Sequence, residues 1–180
     1  VISQGTTCIT NNANLIKKVY FPREILPISI VTSGLINFLI SCIIILIFVL
    51  LGGCGISWHL IFLPFIALIQ YVISLAIIFL LSAFNVYVKD VEYMVTFIIN
   101  LFFYATPVLY STEMFQGSWM IWLFRLNPMA HLINAYRDIF YVHRIPQIQN
   151  LLLLLIFGIV ILVLCYKVFK KLEKRFAEEI

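Results

Sequence analysis

The 180 residues are 63% hydrophobic and 11% charged, with a mean hydropathy of +1.08 and a formal net charge of +4. A soluble domain averages about 45–50% apolar and about 25% charged residues, so this composition excludes one and requires lipid around most of the chain. The positive charge gathers at a few loops rather than on a face interleaved with aromatics, which argues against a nucleic-acid partner.

Residues 1–10 are weakly apolar and too short to cross a bilayer, and they read as the end of an upstream membrane helix. With no initiator Met and no signal-peptide pattern, the chain reads as the later part of a longer protein. Thr10, Asn11 and Asn12 are N-cap types, and Leu15, Ile16, Val19 and Tyr20 recur behind them at helical spacing, with Lys17 and Lys18 on another face. This predicts a short amphipathic helix stopped by Pro22, either resting on anionic headgroups or docking a cytosolic partner. Lys17, Lys18 and Arg23 precede the first long apolar run within the reach of the positive-inside rule, which places this loop in the cytosol.

Residues 25–51 carry no charge and form the first expected span, with Pro27 tolerable in its first turn. An uncharged break at 52–57 falls outside, and 58–84 is the second span, with Trp58 at the outer interface and Pro64 a candidate kink. The chain returns to the cytosol at 85–92, where Lys89, Asp90 and Glu92 are expected to form a charged elbow with internal salt bridges. Residues 93–109 are the third span, ended or bent by Pro107. External short helices are expected across 113–142. Residues 114–124 are apolar but too short to cross, and Asn127-Pro128 offers an N-cap with Pro at the first helical position. Behind that cap Met129, Leu132, Ile133, Tyr136, Ile139 and Phe140 form one face, and His131, Asn134, Arg137 and Asp138 the other, up to a stop near Pro146.

Residues 150–166 are the last span, and 167–180 are a tail opening on Lys167, Lys170, Lys171, Lys174 and Arg175. Those five with Lys17, Lys18, Arg23 and Lys89 put nine of the 12 cations inside, against Arg125, Arg137 and Arg144 outside. The reading is therefore an all-α polytopic membrane protein with four complete spans, short external helices and both ends of the chain cytosolic.

No phosphate-cradling G-x-x-x-x-G-K-[ST] run occurs, no span carries a charge at depth, and His59, His131 and His143 are too scattered for a metal site. Cys8, Cys42, Cys54 and Cys165 form no C-x-x-C pair, and Cys42 and Cys165 lie in apolar runs as small hydrophobes. The chain is thus expected to be no enzyme, with no catalytic residue, metal or cofactor of its own. Its aromatics collect on the outer half, among them Phe102, Phe103, Tyr104, Tyr110, Phe115, Trp119, Trp122 and Phe124. They suit either a headgroup belt or the lining of a conduit that passes sugars.

Four stretches, residues 14–28 (NLIKKVYFPREILPI), 83–91 (AFNVYVKDV), 106–110 (TPVLY) and 127–138 (NPMAHLINAYRD), together resemble the permease subunit of ABC-2 type exporters. The resemblance is to the branch that exports O-antigen, capsule or teichoic-acid chains, and it covers the chain from about residue 12 onward. It implies a six-span permease of the bacterial cytoplasmic membrane that works as a homodimer with separate ABC ATP-binding subunits, which use the ATP and Mg. This chain then lacks the amino-terminal interfacial helix and first two spans, and the substrate is a lipid-linked glycan crossing among membrane lipids. By the same resemblance Leu15, Lys17, Lys18, Val19, Phe21, Pro22, Arg23 and Glu24 contact the ATPase, with Leu15, Val19 and Phe21 filling a groove in it, while Lys89 and Asp90 form an inner elbow. Tyr104, Pro107, Tyr110, Phe115, Trp119, Trp122, Tyr136, Arg137 and Asp138 form the outer gate or conduit, which Arg137 and Asp138 pin by a polar contact. The alternatives are an ABC-2 exporter of drug, peptide or lipid, or a stand-alone membrane scaffold or transferase.

Overall fold

The computed structural model describes residues 1–18, 21–51, 58–105 and 127–176, with Tyr104 and Ala105 described by their backbone alone. Regular structure among them is entirely helical: α1 (Ile2–Thr6), α2 (Cys8–Asn11), α3 (Ala13–Lys18), α4 (Ile25–Leu51), α5 (Leu63–Tyr87), α6 (Val91–Ala105), α7 (Pro128–Arg137) and α8 (Ile148–Glu173). A 3-10 turn (Trp58–Phe62) leads into α5, and a π turn (Asp138–Val142) follows α7.

The protein is an all-α, multi-pass membrane protein. Helices α4 and α8 and the Trp58–Tyr87 unit are long and apolar enough to cross a bilayer. At about 1.5 Å per residue, α4 reaches about 40 Å, against a hydrocarbon core of about 30 Å. Helix α6, on the third expected span, has 15 residues and reaches about 22 Å; residues 106–109 of that span lie outside the described part. Helix α4 has the bounds expected from sequence. The other helices do not: α6 starts at Val91, α5 runs on to Tyr87, and α8 extends seven residues past Tyr166, carrying Lys167, Lys170 and Lys171 on its last two turns. Pro64 sits in the first turn of α5, where its missing N–H leaves no bond unmade, so it starts the helix instead of kinking it.

Of the N-cap types at residues 10–12, Thr10 and Asn11 lie inside α2, while Asn12 stands between α2 and α3. Its carbonyl accepts from the Leu15 and Ile16 N–H groups of α3 at 3.0 and 3.1 Å, and its side-chain amide turns back to donate to the Cys8 carbonyl at 2.8 Å. Cys8 and Ile9 are almost fully buried, and that burial draws the backbone into helix before the polar residues are reached. Pro22 stands in the turn before α4, its carbonyl accepting from the Ile25 N–H, while Val19 and Tyr20 lie outside the described residues.

Helix α5 is the hub. Half of its most apolar window is buried, against 6% for α4 and 17% for α8. Helices α5 and α8 lie side by side and parallel. Ile66, Ile69 and Ile73 pack with Leu151 and Leu154 near their beginnings, and Phe79 meets Phe169 near their ends, ring centroids 5.1 Å apart. Gly158 permits this approach, since a Cβ there would meet Ile73 Cγ1 at 3.1 Å. Helices α1 and α2 wedge against α5 and α4 in the core cluster that holds Ile9, Val31, Ile78 and Phe79. Hydroxyls on lipid-exposed surface return to their own helix, as Thr32 does to the Ile28 carbonyl (2.8 Å) and Ser41 to Asn37 (2.9 Å), so they cost little in hydrocarbon.

Candidate functional site

Two polar assemblies stand at opposite ends of the α5–α8 pair. At the basic end a cleft of 570 Å³ lies between the 21–24 turn and the last turns of α8, lined by Ile16, Phe21, Arg23, Glu24, Lys170 and Glu173 among others. Arg23 donates to the Glu173 carbonyl and lies over the Phe176 ring, 5.9 Å from its centroid. Glu24 accepts a hydrogen bond from the Tyr166 hydroxyl (2.7 Å) and pairs with Lys170 (3.1 Å), which also reaches Glu173 (3.1 Å). The Tyr166 hydrogen bond, more than the Lys170 cation, holds the Glu24 carboxyl below the ordinary glutamate value. Tyr87, at the end of α5, donates to the Leu172 carbonyl at 3.0 Å, so three chain segments meet on one helix end.

The sequence-predicted partner-contact residues therefore divide. Leu15 is 47% exposed and Lys17 and Lys18 are exposed beside it, whereas Ile16 is buried. Phe21 packs on the protein's own core, and Arg23 and Glu24 are engaged with α8. Val19 lies outside the described residues, and Pro22 is exposed. Sequence reasoning missed α8's share of this site. The signal was Tyr166 at the end of the last expected span followed by Phe169, Glu173 and Phe176 at steps of three or four, one face of a helix running on into the segment read as a plain cationic tail. Lys89 and Asp90 occupy an exposed turn between α5 and α6, and among the described residues no salt bridge joins Lys89 to Asp90 or Glu92. The expected salt-bridged elbow is thus absent; the Asp90 backbone carbonyl instead accepts from Met94 N–H in the first turn of α6.

At the far end, Asn127 caps α7 as its sequence predicts, Oδ1 accepting from the Met129 N–H at 3.0 Å. Leu132, Ala135 and Ile139 seat α7 and the π turn on α5 and α8. Tyr136 is half-buried against Phe38 of α4, centroids 5.3 Å apart, and its hydroxyl donates to Gln70 Oε1 of α5 at 2.9 Å. Tyr136→Phe should leave that amide short of a donor in an apolar setting and cost about 0.5–1.5 kcal/mol, read as a lower midpoint of thermal unfolding. An unchanged midpoint would show that the bond does not hold α7 in place.

Asp138, one of the two residues expected to pin this end, is held by Arg144. Asp138 is buried, and its carboxylate accepts from Arg144 Nε at 2.7 Å while its carbonyl accepts from the Arg144 N–H at 3.1 Å. The π turn and the left-handed His143 (φ 53°) bring position 144 back over 138, where a regular α-helix would carry it to another face. Arg137 lines a polar cavity beside them. Of the other predicted gate residues, Pro107, Tyr110, Phe115, Trp119 and Trp122 lie outside the described residues, as does the side chain of Tyr104.

The pattern of the ABC-2 type transporter family matches residues 1–141. The chain is 34% identical over 180 residues to the O-antigen export system permease protein RfbA of Myxococcus xanthus, covering 99% of this chain and 69% of that protein. It is 32% identical over 168 residues to a protein of the same name from Klebsiella pneumoniae, covering 93% of this chain and 64% of the relative. The chain thus spans about two thirds of the length of these relatives.

Proposed function

The chain belongs to the ABC-2 type transporter family, and from that premise we propose that it is the membrane permease subunit of an ATP-driven exporter that moves a lipid-linked polysaccharide outward across the bacterial cytoplasmic membrane. The observation that carries the reading is the match, over nearly the whole chain, to permeases named for O-antigen export. In this reading a separate ATP-binding subunit hydrolyses ATP, two permease copies surround the path, and the end bearing Lys17, Lys18 and the α8 cations faces the cytosol.

The residues then divide the work. Leu15, Lys17 and Lys18 form the exposed face that meets the ATPase, an apolar anchor flanked by steering cations. Arg23, Glu24, Lys170 and Glu173 tie that element to α8, so a push on it reaches a membrane-spanning helix directly. Helix α8 packs along α5, and both support α7 at the outer end. The ATPase drives this movement only through contacts that differ between its two nucleotide states, because equal binding to both would shift nothing.

The test is co-purification of the full-length permease with the ATPase encoded beside its gene, with and without Leu15→Asp, Lys17→Gln and Lys18→Gln together. Arg23 is left intact, since its replacement would also break the tie to α8. The triple variant should retain its unfolding midpoint and lose at least tenfold in ATPase affinity. A complex of undiminished affinity would remove the docking role from this face.

A further inference from the structure

We propose that the polar cavity at the far end binds a phosphate group flanked by hydroxyls, as in a sugar phosphate or a glycerophospholipid headgroup. The cavity has a volume of 270 Å³ and lies between α7, the 143–147 turn and the start of α8. Drug-sized sites begin near about 300 Å³, so the space suits one small anionic unit and excludes a polymer segment.

Its lining specifies the chemistry. Arg137 and Arg144 supply two guanidinium groups, and Asn134, Gln147 and Asn150 supply three amides, with His131 beside them; Asn150 Nδ2 already donates to Gln147 Oε1 at 2.6 Å. The single lining carboxylate among the described residues, Asp138, is already engaged by Arg144 Nε, which lessens its repulsion of an incoming anion. A guanidinium carries five N–H donors. The Asp138 contact occupies Nε of Arg144, whose side chain remains 64% exposed, so its terminal NH₂ groups stay available for a forked contact to phosphate oxygens. Asp138 is thereby a positioning residue: it fixes the edge of Arg144 that faces the cavity. The Gln147 amide nitrogen and the Asn150 amide oxygen, which their mutual bond leaves over, together with the Asn134 amide match hydroxyls next to the phosphate. The inference rests on the export reading only for where such a group would come from, because the binding chemistry is a property of these side chains.

The experiment uses the full-length permease with its ATPase, without nucleotide, in nanodiscs of zwitterionic phosphatidylcholine, and follows the unfolding midpoint. Glucose 1-phosphate is titrated against glucose as the uncharged control; in a separate arm phosphatidylglycerol replaces part of the lipid with no sugar added. A ligand that binds only the folded state raises the midpoint saturably. We expect glucose 1-phosphate, phosphatidylglycerol or both to do so and glucose not to; a rise with the sugar phosphate alone assigns the cavity to the glycan, and with the lipid alone to a headgroup. Arg137→Gln should shift the half-saturating concentration at least tenfold upward. Arg144→Lys, which preserves a cation beside Asp138 but loses the fork, should weaken binding severalfold. No rise with either anion, or an equal rise in the Arg137→Gln, Arg144→Gln double variant, overturns the site. Since no ATP is consumed and the complex is assembled beforehand, failure here is distinct from failure of the permease to bind its ATPase.

Discussion

Gly5→Val should be the most damaging single substitution in the described core. A Cβ at Gly5 would stand 2.6 Å from Ile78 Cδ1 and 2.7 Å from both Cγ atoms, well inside van der Waals contact. Ile78 is fully buried and β-branched, so its Cγ atoms cannot swing clear without moving α5 itself. Overpacking of this kind costs about 1–3 kcal/mol, and here it falls on the contact that holds α1 against the hub helix. We expect a clear fall in the unfolding midpoint in detergent and a lower yield of folded permease. Gly5→Ala should do the same to a smaller degree, and Ile78→Ala added to it should recover part of the loss by vacating the space. A Gly5→Val protein with an unchanged midpoint would show that α1 does not pack on α5 at this distance.

The fold was legible where one physical variable decides it. The length and apolarity of residues 25–51 dictate a spanning helix, and α4 has those bounds; Asn127-Pro128 carries its own cap chemistry, and α7 starts there. The site was less legible because it is made by groups far apart in sequence. Nothing local to Arg23 points to the Glu173 carbonyl, and nothing in Tyr87 points to Leu172; the first contact exists because the turn before α4 meets the last turns of α8, the second because α5 and α8 run parallel and finish at the same level. Regular helical spacing puts Asp138 on the polar face with His131 and Arg137, and the π turn that buries it against Arg144 has no periodicity of its own to detect. The buried amide of Asn85 was missed for the same reason. It donates to Thr10 Oγ1 across 75 positions at 3.4 Å, a contact that only the wedging of α2 against α5 creates.

Glu24→Lys should uncouple ATP hydrolysis from export while barely changing stability. The Glu24–Lys170 pair is partly exposed, with side chains at 25% and 39%, and such surface pairs are worth about 0–1 kcal/mol. Position matters more than energy here: the pair and the Tyr166 hydrogen bond fix the turn after the proposed docking element to α8. A lysine at 24 loses the Tyr166 and Lys170 contacts together and sets two ammonium groups side by side. Export per ATP hydrolysed should drop at least tenfold in reconstituted vesicles, with ATPase binding intact. Lys170→Glu alone should also uncouple, and the double exchange Glu24→Lys, Lys170→Glu should recover a large part of coupling, a non-additivity expected only of residues in contact. Acidity provides an independent control. The folded-state pKa of Glu24 lies below its ordinary value, so its stabilising contribution is complete above that ordinary value and is lost as the pH falls through the depressed one. Coupling through Glu24 should therefore be flat across neutral pH, and a change between pH 6 and 8 that Glu24→Gln abolishes would contradict this assignment. If the double exchange instead sums the two single defects, the movement passes to the membrane helices by another contact and the α8 tie is only structural.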